Sequence, residues 1–156
     1  MEIISDSVNG TLKIGRVIAK YLKPQDIICL SGELGSGKTV LTKGIASGLG
    51  VEASKVTSSS FILIREHLKG RLPLYHFDLY RLKAAQDIST LGYEEYFYGD
   101  GVSVIEWPER LGCLMPKEYL KVGLTCRGEF KRELKFNAKG PSYKKLLKDI
   151  YENTCS

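Results

Sequence analysis

Eight residues, Gly32-Glu-Leu-Gly-Ser-Gly-Lys-Thr39, satisfy the pattern G-x-x-x-x-G-K-[S/T] at every specified position. That spacing has a chemical reason. Glycines at 32, 35 and 37 let the backbone turn its N–H groups inward without Cβ clashes, and a helix starting directly after them aims its positive end at the same point. The product is an anion cradle, with Gly32, Leu34, Gly35, Ser36 and Gly37 as its nucleotide-contacting loop. Lys38 reaches the β- and γ-phosphates of a triphosphate, and the Thr39 hydroxyl is placed to ligate the Mg²⁺ that bridges them. A phosphate cradle hydrolyses nothing alone, so a second metal contact is needed, commonly an acid at the end of a neighbouring apolar strand. Two acids meet that description: Asp78, which ends Leu74-Tyr-His-Phe-Asp78, and Glu106, which ends Val102-Ser-Val-Ile-Glu106. The residues leave open which of the two holds the metal, and whether either pairs instead with a basic neighbour. Neither N-K-x-D nor D-x-x-G, the usual guanine-site elements, occurs in the chain, so ATP is favoured over GTP.

These groups must be held by elements that the hydrophobic pattern locates. Ile14, Val17, Ile18, Tyr21 and Leu22 give the spacing of an amphipathic helix over 9–22, with Asn9 as the expected N-cap and Pro24 beyond its end. Residues 26–31 then read as a buried parallel strand that feeds the glycine loop. Leu41, Ile45 and Leu49 place a helix after the loop, with Gly48 or Gly50 to terminate it. Residues 61–66 and 72–78 form an expected hairpin around Gly70, and residues 83–98 have helical composition broken at Gly92. A strand over 102–107, β-like segments at 119–126 and 131–137, and a basic helix over 142–151 complete the chain.

The chain has 156 residues, 26% of them charged and 43% hydrophobic, which predicts one domain over 1–156. No apolar run approaches the roughly 20 residues of a membrane span, and residues 1–6 lack the features of a secretory signal, so a soluble cytoplasmic protein is expected. Cys29, Cys113, Cys126 and Cys155 are scattered without a C-x-x-C pair and lie far in sequence from His67 and His76, which argues against a cysteine–histidine metal site. Cys29 reads as a small core residue and Cys155 as an exposed one. The formal net charge of +5 is uneven: Lys117 to Lys148 holds ten Lys and Arg against three Glu, leaving −2 on the remainder. Such a segment is either a solvated basic face or a patch for an acidic partner or nucleic acid.

Four segments together, GELGSGKT, TSSSF at 57–61, HFDLYRL at 76–82 and VIEWPERL at 104–111, resemble the TsaE (formerly YjeE) family. These are small bacterial P-loop ATPases of tRNA threonylcarbamoyladenosine biosynthesis, and the likeness runs across nearly the whole chain. The expected fold is α/β: a P-loop NTPase-like three-layer sandwich with a largely parallel central sheet, a hairpin and helices on both faces. The resemblance implies that Thr39 and Glu106 ligate Mg²⁺, that Asp78 contacts the γ-phosphate region or its water, and that Trp107 lies beside the nucleotide. Trp107, the chain's only tryptophan, also reads as a core aromatic flanking the sheet. Ser7, Thr11 and Arg132 are the implied neighbours of the adenine, although Arg132 reads equally as surface charge. Switch-like roles are implied for 57–61 and for the segment around Asp78. Where relatives commonly carry Thr-Ser-Pro-Thr-Phe, this chain has Thr57-Ser58-Ser59-Ser60-Phe61, and loss of the proline frees the loop backbone.

By resemblance the partners are TsaB and TsaD subunits, the latter transferring threonylcarbamoyl onto the adenosine beside the anticodon of ANN-decoding tRNAs. Because Glu106 is followed by Trp107 and not by a second acid, slow intrinsic hydrolysis is expected, with a partner completing the site. Two other readings are a tRNA-binding module with structural ATP, using the basic stretch Lys131 to Lys148 with Phe136 and Tyr143 for stacking, and a small P-loop kinase.

Overall fold

The computed structural model describes residues 1–58 and 62–154; Ser59, Ser60, Phe61, Cys155 and Ser156 lie outside the described residues, and with them the expectations for Cys155 and for most of the 57–61 loop. In chain order the elements are β1 (Glu2–Ser5), α1 (Val8–Tyr21), β2 (Ile27–Ser31), α2 (Lys38–Gly48), β3 (Ile64–His67), β4 (Leu74–Asp78), α3 (Ala85–Ser89), α4 (Tyr93–Phe97), β5 (Val102–Glu106), β6 (Tyr119–Cys126), β7 (Arg132–Lys139) and α5 (Pro141–Thr154). The strands form one sheet in the order β1-β7-β6-β2-β5-β4-β3. β6, β2, β5 and β4 run parallel at its centre. Antiparallel pairs flank them: β1 and β7 with β6 on one side, and the β3–β4 hairpin on the other.

Strand β2 shows why its apolar run is continuous. Alternate side chains point to opposite faces, and both faces are covered: Ile28 and Leu30 enter the core beneath α1, α2 and α5, while Ile27 and Cys29 enter the core beneath α3 and α4. Burial pushes the Cys29 thiol up to about 12, which makes it an inert packing group. Ile14, Ile18 and Leu22 of α1 and Leu41, Ile45 and Leu49 at α2 occupy the first core, as their spacing predicts. The two helices approach closely where Gly15 meets Gly44; a Cβ on Gly44 would stand 2.5 Å from the Leu12 carbonyl oxygen. That packing anchors α2, and with it the glycine loop, against α1.

Several details differ from the sequence reading. The N-cap of α1 is Ser7 and not Asn9: Ser7 is extended, and its hydroxyl accepts the Gly10 N–H at 2.9 Å, while Asn9 already lies inside the first turn. Residues 83–98 form two short helices, with Gly92 in the left-handed region (φ 68°) capping the second. Strand β1 has no clear sequence signal, being four residues of mixed exposure held by its pairing with β7. Phe136 and Tyr143, expected as stacking groups in a basic surface, are instead 3% and 5% exposed and belong to the first core. Tyr143 also accepts the Ile27 N–H at 2.8 Å, so neither ring is offered to a nucleic acid. Part of the segment's charge is locally paired, as in Lys131 with Asp6 and Lys148 with Glu152. Among the described residues, no helix is long and apolar enough to cross a membrane.

Candidate functional site

The glycine loop joins the end of β2 to the start of α2 at the carboxyl end of the parallel strands. Gly37 is the N-cap of α2 at φ 104°, ψ 15°, a left-handed geometry that a side chain would strain. Lys38 follows as the first helical residue and is 6% exposed. Its ammonium donates to the carbonyl oxygens of Gly32 (2.6 Å) and Glu33 (2.8 Å) and to the Ser36 hydroxyl (3.3 Å). It also lies 4.3 Å from the centroid of the Trp107 ring. Burial lowers the Lys38 pKa, opposed by the negative charges of Glu106, Glu109 and Asp78. Its direct hydrogen-bond partners are neutral oxygens, so the positive charge is held in place without being neutralised by contact. A phosphate would be its natural counter-ion.

Across from the loop, β5 ends in Glu106, only 2% exposed. Its Oε1 accepts the Thr39 hydroxyl at 2.9 Å, and its Oε2 lies 2.7 Å from Nε2 of His76, itself 1% exposed. Asp78 stands opposite Glu106 in the parallel β4–β5 register, half-buried, and accepts the Tyr80 N–H at 3.2 Å. The geometry thus separates the two acids: Glu106 touches Thr39, whereas Asp78 faces the open cleft beside it. Two hard oxygen donors in contact, a threonine hydroxyl and a carboxylate, are the donor set that suits Mg²⁺. His76 was missed as a site residue. The available signal was its place two residues before Asp78, which in a strand puts both on one face.

A cleft of about 360 Å³ brings together Ser7, Thr11, Leu34, Gly35, Gly37, Lys38, Thr39, Asp78, Glu106, Trp107 and Arg132. That volume falls in the ordinary range for a small-molecule site. Gly32 and Ser36 lie behind the lining and serve it through their contacts to Lys38. Thr11 is 2% exposed and shares its hydroxyl with Ser5 at 2.9 Å, so Ser7 and Thr11 shape a wall with hydroxyls already engaged in the α1 cap. Arg132 donates to the carbonyls of Gly128, Glu129 and Lys131 and, at 3.3 Å, to that of Gly35, tying the β6–β7 turn to the glycine loop. Trp107 adopts φ 61°, ψ 51°, a conformation costly for a bulky residue. It packs on the α3–α4 core, as its reading as a core aromatic expects, meets Tyr80 in a tilted contact with ring centroids 5.0 Å apart, and lines the cleft. The lining also includes Tyr80, from the HFDLYRL segment, and Val8 and Phe130, which no sequence motif marks.

Comparison with known proteins gives one consistent result. The family model described as "Threonylcarbamoyl adenosine biosynthesis protein TsaE" matches residues 5–134. A Bacillus subtilis protein named tRNA threonylcarbamoyladenosine biosynthesis protein TsaE is 39% identical over 140 residues, covering 90% of this chain and 87% of that protein. A Treponema pallidum protein of the same name is 37% identical over 134 residues, covering 86% and 98%. Among solved structures, the crystal structure of Bacillus subtilis YdiB superposes with a TM-score of 0.83 at 36% identity, covering 97% of this chain and 94% of that one.

Proposed function

This chain belongs to the TsaE family, and from that membership we propose that it is a Mg²⁺-dependent ATPase serving threonylcarbamoyladenosine formation in tRNA. It works as one domain in the cytoplasm with TsaB- and TsaD-like subunits, and it does not itself transfer the threonylcarbamoyl group. The observation that carries the reading is convergence: Lys38, Thr39, Glu106 and Asp78, drawn from three separate segments, line one cleft at the mouth of the glycine loop.

In that cleft the loop N–H groups and the Lys38 ammonium bind the phosphates of ATP, and the polarised end of α2 adds to the same field. Thr39 and Glu106 are the residues that hold Mg²⁺, which when bound neutralises charge on the phosphate oxygens. Asp78, facing the cleft, orients water near the γ-phosphate. Arg132 secures the glycine loop from the β6–β7 turn, while Val8, Leu34 and Phe130 offer apolar surface for the base near Ser7 and Thr11. Intrinsic hydrolysis is slow because Glu106 is followed by Trp107 and not by a second acid that could activate water. Docking of the partner subunits completes the site.

The experiment is reconstitution of threonylcarbamoyl transfer with TsaB- and TsaD-like subunits. Multiple turnovers are expected only with the intact chain and ATP; undiminished turnover without the chain, or with Lys38→Ala, would overturn the reading. Single-turnover ATP hydrolysis should accelerate when the partner subunits are added. Labelled ATP in a metabolite screen should give free phosphate, and transfer to a metabolite would establish a kinase instead.

A further inference from the structure

His76 takes no direct part in the phosphate or metal chemistry of the cleft, yet its imidazole is buried against that chemistry. Its Nε2 lies 2.7 Å from Glu106 Oε2, with both side chains almost fully removed from solvent. An ionised carboxylate only accepts, so the proton of this bond sits on His76 Nε2. Among the described residues, Nδ1 has no hydrogen-bond partner. A buried polar atom without a partner is a cost to the fold. Leu74, on the same face of β4 and two residues away, is completely buried, so this face accommodates an apolar side chain. Offsetting that cost is the single hydrogen bond from His76 to Glu106.

The bond matters because a carboxylate has two oxygens and must present one of them. Thr39 meets Oε1; His76 occupies Oε2 from a strand whose backbone is locked between β3 and β5. Rotation of the carboxylate would break the His76 bond, which joins two side chains almost fully removed from solvent. We propose that His76 is a positioning residue that holds the Glu106 carboxylate in its Mg²⁺-accepting orientation. The proposal rests on the reading of Glu106 as a metal ligand. Outer-shell partners of metal-binding groups typically contribute about 10- to 100-fold to metal affinity.

The test is a Mg²⁺ titration of the full chain loaded with a non-hydrolysable ATP analogue, followed by Trp107 fluorescence and by calorimetry. His76→Leu, which removes the donor, should weaken Mg²⁺ binding about 10- to 100-fold, while metal-free analogue affinity stays within about twofold. His76→Gln, whose amide nitrogen reaches the same position, should recover most of the loss. If Glu106→Gln weakens Mg²⁺ binding and His76→Leu does not, the positioning role is wrong and the metal-ligand reading stands. If Glu106→Gln also leaves Mg²⁺ binding unchanged, the metal-ligand reading fails and takes this proposal with it. Should His76→Leu not fold, the wild-type protein decides by ¹⁵N NMR of the His76 ring. An Nε2-protonated tautomer whose resonance moves on Mg²⁺ addition is expected; an Nδ1-protonated tautomer, or an unmoved resonance, overturns the proposal.

Discussion

Lys38 and Glu106 on the floor of the cleft, and His76 behind Glu106, are 6% exposed or less and hydrogen-bonded to the loop, to Thr39 or to each other. On its rim, Leu34 is 66%, Phe130 61%, Val8 54% and Tyr80 39% exposed, and their contribution is surface without fixed polar geometry. The floor is held by hydrogen bonds within the protein, in a poorly solvated setting where charges act strongly on one another. The rim retains side-chain freedom, which a ligand or a partner would have to restrict on contact. The contrast teaches that a substitution in this cleft should be ranked by how much organised charge it removes, not by how near it lies to the ligand.

Four substitutions sharpen or break that ranking. Lys38→Ala removes the floor's central cation and should lower nucleotide affinity by at least about 100-fold, the worth of two charge-assisted hydrogen bonds. Calorimetric titration with circular dichroism as a folding control would check it. Glu106→Gln keeps the size and one acceptor but removes the charge; single-turnover hydrolysis should drop by about 100-fold, as when other preorganised electrostatic groups are lost. Wild-type turnover from this variant would break the distinction between floor and rim.

Asp78→Asn tests the boundary, since Asp78 is half-buried and its carboxylate meets only the nearby Tyr80 N–H among the described residues. Rates should fall about tenfold, equivalent to one hydrogen bond to a charged group, with nucleotide affinity little changed. Separate measurement of kcat and binding distinguishes these effects. Phe130→Ala should have the smallest consequence, about a fivefold loss of nucleotide affinity from one aromatic contact, with hydrolysis of the bound nucleotide unaltered. A loss exceeding that of Lys38→Ala would reverse the ranking and make the rim the dominant binding element.

Much of this arrangement is legible along the chain, and the limits have physical causes. The loop from Gly32 to Thr39 declares itself because its backbone geometry demands glycines at fixed places between an apolar strand and a helix. The pattern is local and its residues are consecutive. Strands β2 and β5 follow from apolar runs for a similar reason. Strand β1 is legible only through its partner, since four residues of mixed exposure carry too little periodicity. Phe136 and Tyr143 misled because aromatic residues among lysines suit an exposed strip as well as a strand or helix with one buried face. Packing of α5 and β7 into the core selected the second.

The amino-acid sequence alone determined that this protein carries a phosphate-binding loop, that two acids end strands able to meet it, and which family its motifs resemble. Tertiary structure decided which acid meets the loop, because the contact joins Thr39 to a residue 67 positions away and the supporting histidine lies 30 positions from that same acid. Strand order and register set those distances. Local periodicity specifies which face of a strand a residue occupies, but not which neighbour shares that face.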